Sequence, residues 1–350
     1  ELLAKQGKAE ELEETLTLLE QASPETGLGA FGKGRLYKQQ KKYPEAVAAF
    51  DEALAREPDS VLALTEVVNT EIAMGDPDAA IKRLDAVLKV NPEHPAAHDL
   101  LGVAYAAKKD FARAEQEFTR QLEINPNSSV VYIQLAGARS GQGNTGGAEA
   151  ALKKGLEVLP GDTRLTVALA TFYMQQGDMD KAAAVYTKAL EDSPNEPRYV
   201  LSLAGIKERQ QRYEEAIELY EGLLASKPDN LLANNNLAAL LADHRTDEAI
   251  LNQAKALADK LADAQQPVLL DTVGWVYYRA GDYNKAAEVL SGVVEAAPDV
   301  PIFRYHLGMA YYKQGDNRAA KEILSGAVAE DMTYDGVEEA RRVYAEIGGA

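Results

Sequence analysis

The chain has 350 residues, 46% of them hydrophobic and 26% charged, which is the composition of a folded chain and not of a disordered one. A formal charge of −18 and a pI near 4.8 exclude general nucleic-acid binding and disfavour anionic membrane surfaces. Cysteine is absent, which removes disulfides, thiolate nucleophiles and Cys-based zinc sites, and no run of about 18 apolar residues is present to span a bilayer.

The first element is a helical pattern from Glu1 to Glu20. It opens without Met, signal peptide or lipidation cysteine, so the chain is expected to be cut from a longer protein with any targeting segment upstream. From there the prolines set the frame. Pro24, Pro58, Pro92, Pro126, Pro160, Pro194 and Pro228 follow at intervals of 34, and Pro298 falls 70 after Pro228. Proline stops a helix and is tolerated only in the first turn of the next, so each marks an inter-helix turn.

With that proline at position 32, nine repeats follow: 27–60, 61–94, 95–128, 129–162, 163–196, 197–230, 231–266, 267–300 and 301–334. Residues 1–26 match the second half of a preceding repeat, and 335–350 read as a terminal capping helix with Val337, Ala340, Tyr344 and Ile347 on one stripe. Position 20 is alanine in every repeat but the seventh, and position 8 is Gly or Ala in every repeat but the second, where it is Val68. Small residues at two fixed places predict two helices that cross closely there. Between them stand Gly75-Asp76, Gly143-Asn144, Gly177-Asp178, Gly281-Asp282 and Gly315-Asp316. Gly supplies positive φ at the end of the first helix and Asp or Asn caps the second. The seventh repeat departs: its turn, Asp243-His244-Arg245-Thr246, lacks Gly, its small residue is Ala249, and a second helix reaching about Gln265 is expected to absorb two extra residues.

The pattern Leu101-Gly102-x-x-Tyr105 … Ala114 … Phe118 … Pro126, and again Leu307-Gly308-x-x-Tyr311 … Ala320, resembles the tetratricopeptide repeat. The resemblance implies an all-α, right-handed solenoid of stacked antiparallel helix pairs, first helices on the concave face and second helices on the convex face. It implies a protein or peptide partner; because no nucleophile, metal set or phosphate loop survives inspection of the sequence, neither catalysis nor a cofactor is expected. In the family, positions 2, 5, 9 and 12 point into the concave channel. In the last two repeats these give Val268, Asp271, Trp275, Tyr278 and Ile302, Tyr305, Met309, Tyr312. Residues 267–312 hold eight of the chain's 24 aromatics. Asp271, Trp275, Tyr278, Tyr305, Met309 and Tyr312 are therefore the expected partner-binding set, because rings give large contact area at low entropic cost. The competing expectations are that they pack on one another or on the capping helix, or form a self-association surface. Arg35, Lys38, Asn69, Arg164, Arg198 and Asn235 are secondary groove candidates. No Lys stands at position 5, so the family's carboxylate clamp is absent.

Other motifs fail on context. Gly27-Leu28-Gly29-Ala30-Phe31-Gly32 spells GxGxxG, but no strand precedes it. His94, His98, His244 and His306 are scattered, form no HExxH pattern and are expected to be solvent-exposed; no metal is expected. The runs Asp271–Tyr278 and Tyr305–Tyr312 are similar to bacterial envelope tetratricopeptide proteins that accompany exopolysaccharide and exosortase systems. That similarity implies a periplasmic or outer-membrane-tethered scaffold; a cytoplasmic location, a polysaccharide ligand and self-association are the alternatives.

Overall fold

The computed structural model describes residues 9–23 and 25–348, so residues 1–8 of the expected first helix, Pro24, and residues 349–350 lie outside the described residues. Twenty helices fall within them and no strand. The chain divides into two compact units at Gln176/Gly177. The first unit holds α1 (Ala9–Ala22), α2 (Leu28–Gln39), α3 (Tyr43–Arg56), α4 (Val61–Ala73), α5 (Pro77–Val90), α6 (Ala97–Ala107), α7 (Phe111–Ile124), α8 (Ser129–Gly141), α9 (Thr145–Val158) and α10 (Thr163–Gln175). The second holds α11 (Met179–Asp192), α12 (Pro197–Arg209), α13 (Tyr213–Ser226), α14 (Leu231–His244), α15 (Glu248–Asp259), α16 (Pro267–Arg279), α17 (Tyr283–Ala296), α18 (Pro301–Gln314), α19 (Asn317–Leu324) and α20 (Val337–Glu346). Each unit is a solenoid stack of antiparallel helix pairs. The first helix of a pair (helix A) touches its own second helix (helix B) and the A helices of neighbouring pairs.

The close crossing is made by one side chain from helix B. A Cβ on Gly102 would stand 2.5 Å from Phe118 Cε1, one on Gly274 2.4 Å from Leu290 Cγ, and one on Gly308 2.5 Å from Leu324 Cγ. In each case the position-24 side chain fills the space left open at position 8, and the partner side chain is fully buried or nearly so. The position-20 alanines from Ala46 to Ala320 are likewise wholly inaccessible. Burying one such large side chain is worth about 1.5–3 kcal/mol. Three junctions between successive repeats of the first unit also carry a polar bond from position 11 to position 21 of the preceding repeat. Tyr37 Oη donates to Glu13 (2.6 Å), Arg139 Nε to Glu115 (2.7 Å) and Tyr173 Oη to Glu149 (2.7 Å).

The A-to-B turn has one geometry in eight repeats. Position 15 is left-handed at Gly75, Gly143, Gly177, Gly281 and Gly315, with φ between 77° and 86°, and equally at Lys41, Lys109 and Gln211, with φ near 60°. Local sequence marked only the glycines; in the other three repeats the tertiary crossing imposes the same turn on a side chain that resists it. The next residue caps helix B wherever it is Asp or Asn, as Asp110 does by accepting from Arg113 N–H at 3.3 Å. The seventh repeat is the exception. Arg245 is extended (φ −128°), the B helix α15 ends at Asp259 and not near Gln265, and Ala249 is exposed. Its core is made by Ala254, Ala258 and Leu261, all fully buried. The two extra residues are taken up in the turn after α15, because the chain must reach Pro267 in register for the next A helix.

These contacts generate a contrast measurable by thermal or denaturant unfolding. Gly102→Ala drives a methyl into Phe118 and is expected to cost about 1–3 kcal/mol. Gly137→Ala, on the A face of α8 where a Cβ meets nothing, is expected to stabilise by about 0.5–1 kcal/mol. Lys109→Gly relieves the left-handed strain and is expected to raise the melting temperature.

Candidate functional site

The expected partner-binding residues come together at the end of the second unit, but as an interior. Trp275 is 8% exposed, Tyr305 3%, Met309 1% and Asp271 7%, while Tyr278 and Tyr312 are half-buried. The expectation of an open aromatic channel is therefore corrected: these side chains pack on one another and under α20. The physical reason is the chain itself, which turns after the short α19 and lays α20 beside α18. Tyr305 Oη donates to Glu339 (2.8 Å) and Tyr312 Oη to Glu346 (2.7 Å), two bonds each spanning 34 residues. Helix α20 thus sits where the A helix of a further repeat would sit, and Ala340 and Val343 close the cluster.

The rings are ordered around Trp275. Tyr278 lies nearly parallel to it at 4.7 Å, His306 at 4.1 Å, and Tyr305 is tilted at 5.6 Å. Such pairs contribute about 0.5–1.5 kcal/mol beyond area burial. The indole N–H donates to Asp243 Oδ1 at 2.7 Å, and Arg279, whose guanidinium stands 5.9 Å above the indole, reaches the same carboxylate at 3.4 Å. Asp243 belongs to the seventh repeat at the end of α14, so the tryptophan pins the glycine-free turn. Asp271 is not offered to a partner either: both its oxygens face His306 Nδ1, at 2.9 and 3.0 Å. Burial pushes the Tyr278 and Tyr334 phenols up to about 12. Burial and the bond to Glu339 push Tyr305 up further.

The histidines also depart from the expected exposure. His94 and His306 are buried, and burial lowers His94 below the ordinary imidazole value. His98 is partly buried, 2.6 Å from Glu117, and only His244 lies open, stacked at 3.8 Å on Tyr213. Among the described residues no group of three or more His, Asp or Glu is placed to hold a metal, and no helix is long and apolar enough to cross a membrane.

The secondary candidates are not gathered in one place. Arg35 and Lys38 line a common cavity of about 540 Å³, where Lys38 pairs with Glu66 at 2.6 Å. Asn69 is exposed on α4. Arg164 (on α10) and Arg198 (on α12) are exposed and fall in different units. Asn235 is partly buried and donates to Asn236, which in turn donates to Tyr220 Oη. Position 2, one of the channel positions the resemblance implies, was left out of the expected partner-binding set, yet it carries exposed apolar residues. Leu28, Leu62 and Val130 are 59%, 69% and 42% exposed in the first unit, and Leu232 and Val268 56% and 62% in the second. A signal was present, since position 2 is aliphatic in those repeats, but an aliphatic residue reads the same in sequence whether a helix covers it or solvent does.

Sequence comparison places the chain among known proteins. The tetratricopeptide repeat pattern matches residues 28–60, 68–129, 105–164, 139–206, 200–233 and 277–347, so the chain belongs to the tetratricopeptide repeat family. Comparison with curated proteins gave no match. Among solved structures the chain is similar to the thermophilic tetratricopeptide protein TTC0263 of Thermus thermophilus, with 23% identity over 52% of this chain and 98% of that one and a TM-score of 0.40. It is similar to MamA, with 23% identity over 50% and 96% and a TM-score of 0.39. It is also similar to the Naa15/Naa10 complex bound to HypK, with 18% identity over 99% and 60% and a TM-score of 0.39.

Two measurements check the buried cluster. Trp275, the only tryptophan, is expected to emit at short wavelength and to resist iodide quenching. Tyr278 and Tyr334 have folded-state values raised above the ordinary 10.0, so their contribution to stability is complete below pH 10 and is lost as pH climbs to about 12. Ultraviolet phenolate titration is expected to show late-titrating tyrosines that become ordinary once the chain is unfolded in denaturant.

Proposed function

We propose that this chain is a non-catalytic scaffold for protein–protein interaction, and that its partners dock along the A-helix face. The family membership supports the general role, and the position-2 row carries the particular reading. Isolated exposed aliphatics are ordinary on any surface. Here they recur at one repeat position, on the A helices of each unit, and contribute little to the packing between helices. An apolar row left uncovered in this way marks a surface that another molecule covers. Flanking polar residues such as Asn69 would supply the hydrogen bonds that orient a bound segment. A glycan ligand is less well supported, because the rings that would stack on sugar are enclosed.

The setting we propose is bacterial envelope assembly or exopolysaccharide export, in the periplasm or tethered at the outer membrane. It rests on the similarity of residues 271–278 and 305–312 to the envelope proteins described above.

Site-specific photo-crosslinking tests the docking face. A benzophenone side chain at Leu62 or Leu232 is expected to trap partner protein in cells. The same probe at Asp85 on α5 or Glu218 on α13, both exposed on B helices, is expected to trap far less. Equal trapping from both faces, or none from the A face, would show that the partner surface lies elsewhere.

A further inference from the structure

We propose that the A-helix face at α2 receives an acidic, apolar-anchored segment of a partner protein, with Arg35 and Lys38 as its carboxylate contacts. The proposal rests on the scaffold reading above and names the chemistry of the partner at one end of the array. Three observations carry it.

The first is a local inversion of charge. In a chain of net charge −18, residues 33–42 hold Lys33, Arg35, Lys38, Lys41 and Lys42 and no acidic residue. Arg35 and Lys38 occupy positions 9 and 12, and no other repeat has a basic residue at either place. Packing does not require them there, since the other repeats fold with small, apolar or neutral residues at most of these sites. The second observation is pairing. Lys33 is satisfied by Glu20 at 2.7 Å and Lys38 by Glu66 at 2.6 Å. Arg35 is exposed and has no ion pair among the described residues. Arginine presents a rigid fork that suits a carboxylate, and an unpaired one beside a cavity is open to an external anion.

The third is the cavity. Arg35, Lys38 and Glu66 stand on its border, and Leu12, Leu16 and Leu36 supply aliphatic wall. A Cβ at Gly32 would come 2.4 Å from Leu16 Cδ2, so the glycine is what lets α1 and α2 approach along that wall. The exposed Leu28 and Leu62 extend the aliphatic surface beyond it. This combination fits a segment with a Leu- or Met-like anchor next to Asp or Glu. One carboxylate meets Arg35; a second can exchange with Glu66 for Lys38. An acidic polysaccharide offers the same carboxylates, but the lining holds no aromatic ring on which a sugar face would stack.

Three fluorescein-labelled dodecapeptides test this directly. They share four leucines at fixed positions and carry aspartate, serine or lysine elsewhere. The aspartate peptide is expected to bind at least about tenfold more tightly than the serine peptide, which is a modest preference for one or two charge contacts. The overall field of the chain would repel it, so such a preference can only arise locally. Arg35→Glu, at an exposed unpaired site, and Lys38→Gln are expected to abolish the preference without changing the circular dichroism. An aspartate peptide that fails to bind, or binds no better than the serine peptide in the wild-type chain, overturns the proposal. So does a preference that survives both variants. A uronic-acid hexamer that displaces the aspartate peptide at equal concentration would reassign the site to polysaccharide. The scaffold reading fails separately: it falls if A-face crosslinks are absent, and it stands if they persist while Arg35→Glu has no effect.

Discussion

The fold depends on one repeated steric fit: a position-24 side chain from helix B set against the backbone of helix A at position 8. Where position 8 is Gly, the partner is Phe50, Phe118, Leu290 or Leu324, and the missing Cβ leaves room for it. That fit fixes how closely the two helices of a pair approach, and therefore the direction in which the chain leaves helix A. The left-handed residue at position 15 follows as a consequence. Lys41, Lys109 and Gln211 adopt it although their side chains disfavour it, which shows that the turn is set by packing and not by the turn residue. A helix of 11–14 residues is marginal alone, so pairing and stacking supply the stability the sequence of each helix lacks.

The seventh repeat departs at its turn and at position 20. Its turn is extended at Arg245, and its B helix buries Ala254, Ala258 and Leu261 instead of a position-20 alanine. The neighbouring repeat compensates. Trp275 reaches back to Asp243, and Arg279 binds the same carboxylate. The concentration of aromatics after residue 267 then has a structural account. The rings brace an irregular repeat on one side and hold the terminal helix on the other, through Tyr305–Glu339 and Tyr312–Glu346. The buried Asp271–His306 pair belongs to the same brace.

Exposure and packing therefore fall on different residues of the same helices. Within an A helix, positions facing helix B are consumed by packing, while position 2 lies beyond it and stays exposed in repeats as different as 61–94 and 267–300. At α2 the same face also carries charge, through Arg35 and Lys38. At its aromatic end the site legible in the sequence is enclosed in the structure, for a plain reason: a ring at position 5 or 9 looks the same whether the next helix covers it or solvent does. Tyr305 and Met309 read as channel residues until α20 is placed over them. By contrast, the small-residue pattern was legible because sterics permit few alternatives at a close crossing.

The sequence by itself determined the repeat length, the helix pairing and the tight A–B crossing, since proline, glycine and alanine act locally and at fixed spacing. It also determined the charge inversion at residues 33–42, which needs no coordinates to count. Only the tertiary structure decided which side chains remain open. Exposure depends on what a distant segment does, and here α20, joined to α19 by a turn without periodic signal, encloses rings that the repeat register places on an open face. The same holds for the position-2 row: its aliphatic residues are ordinary in sequence, and become a candidate surface only because they stay exposed among the described residues.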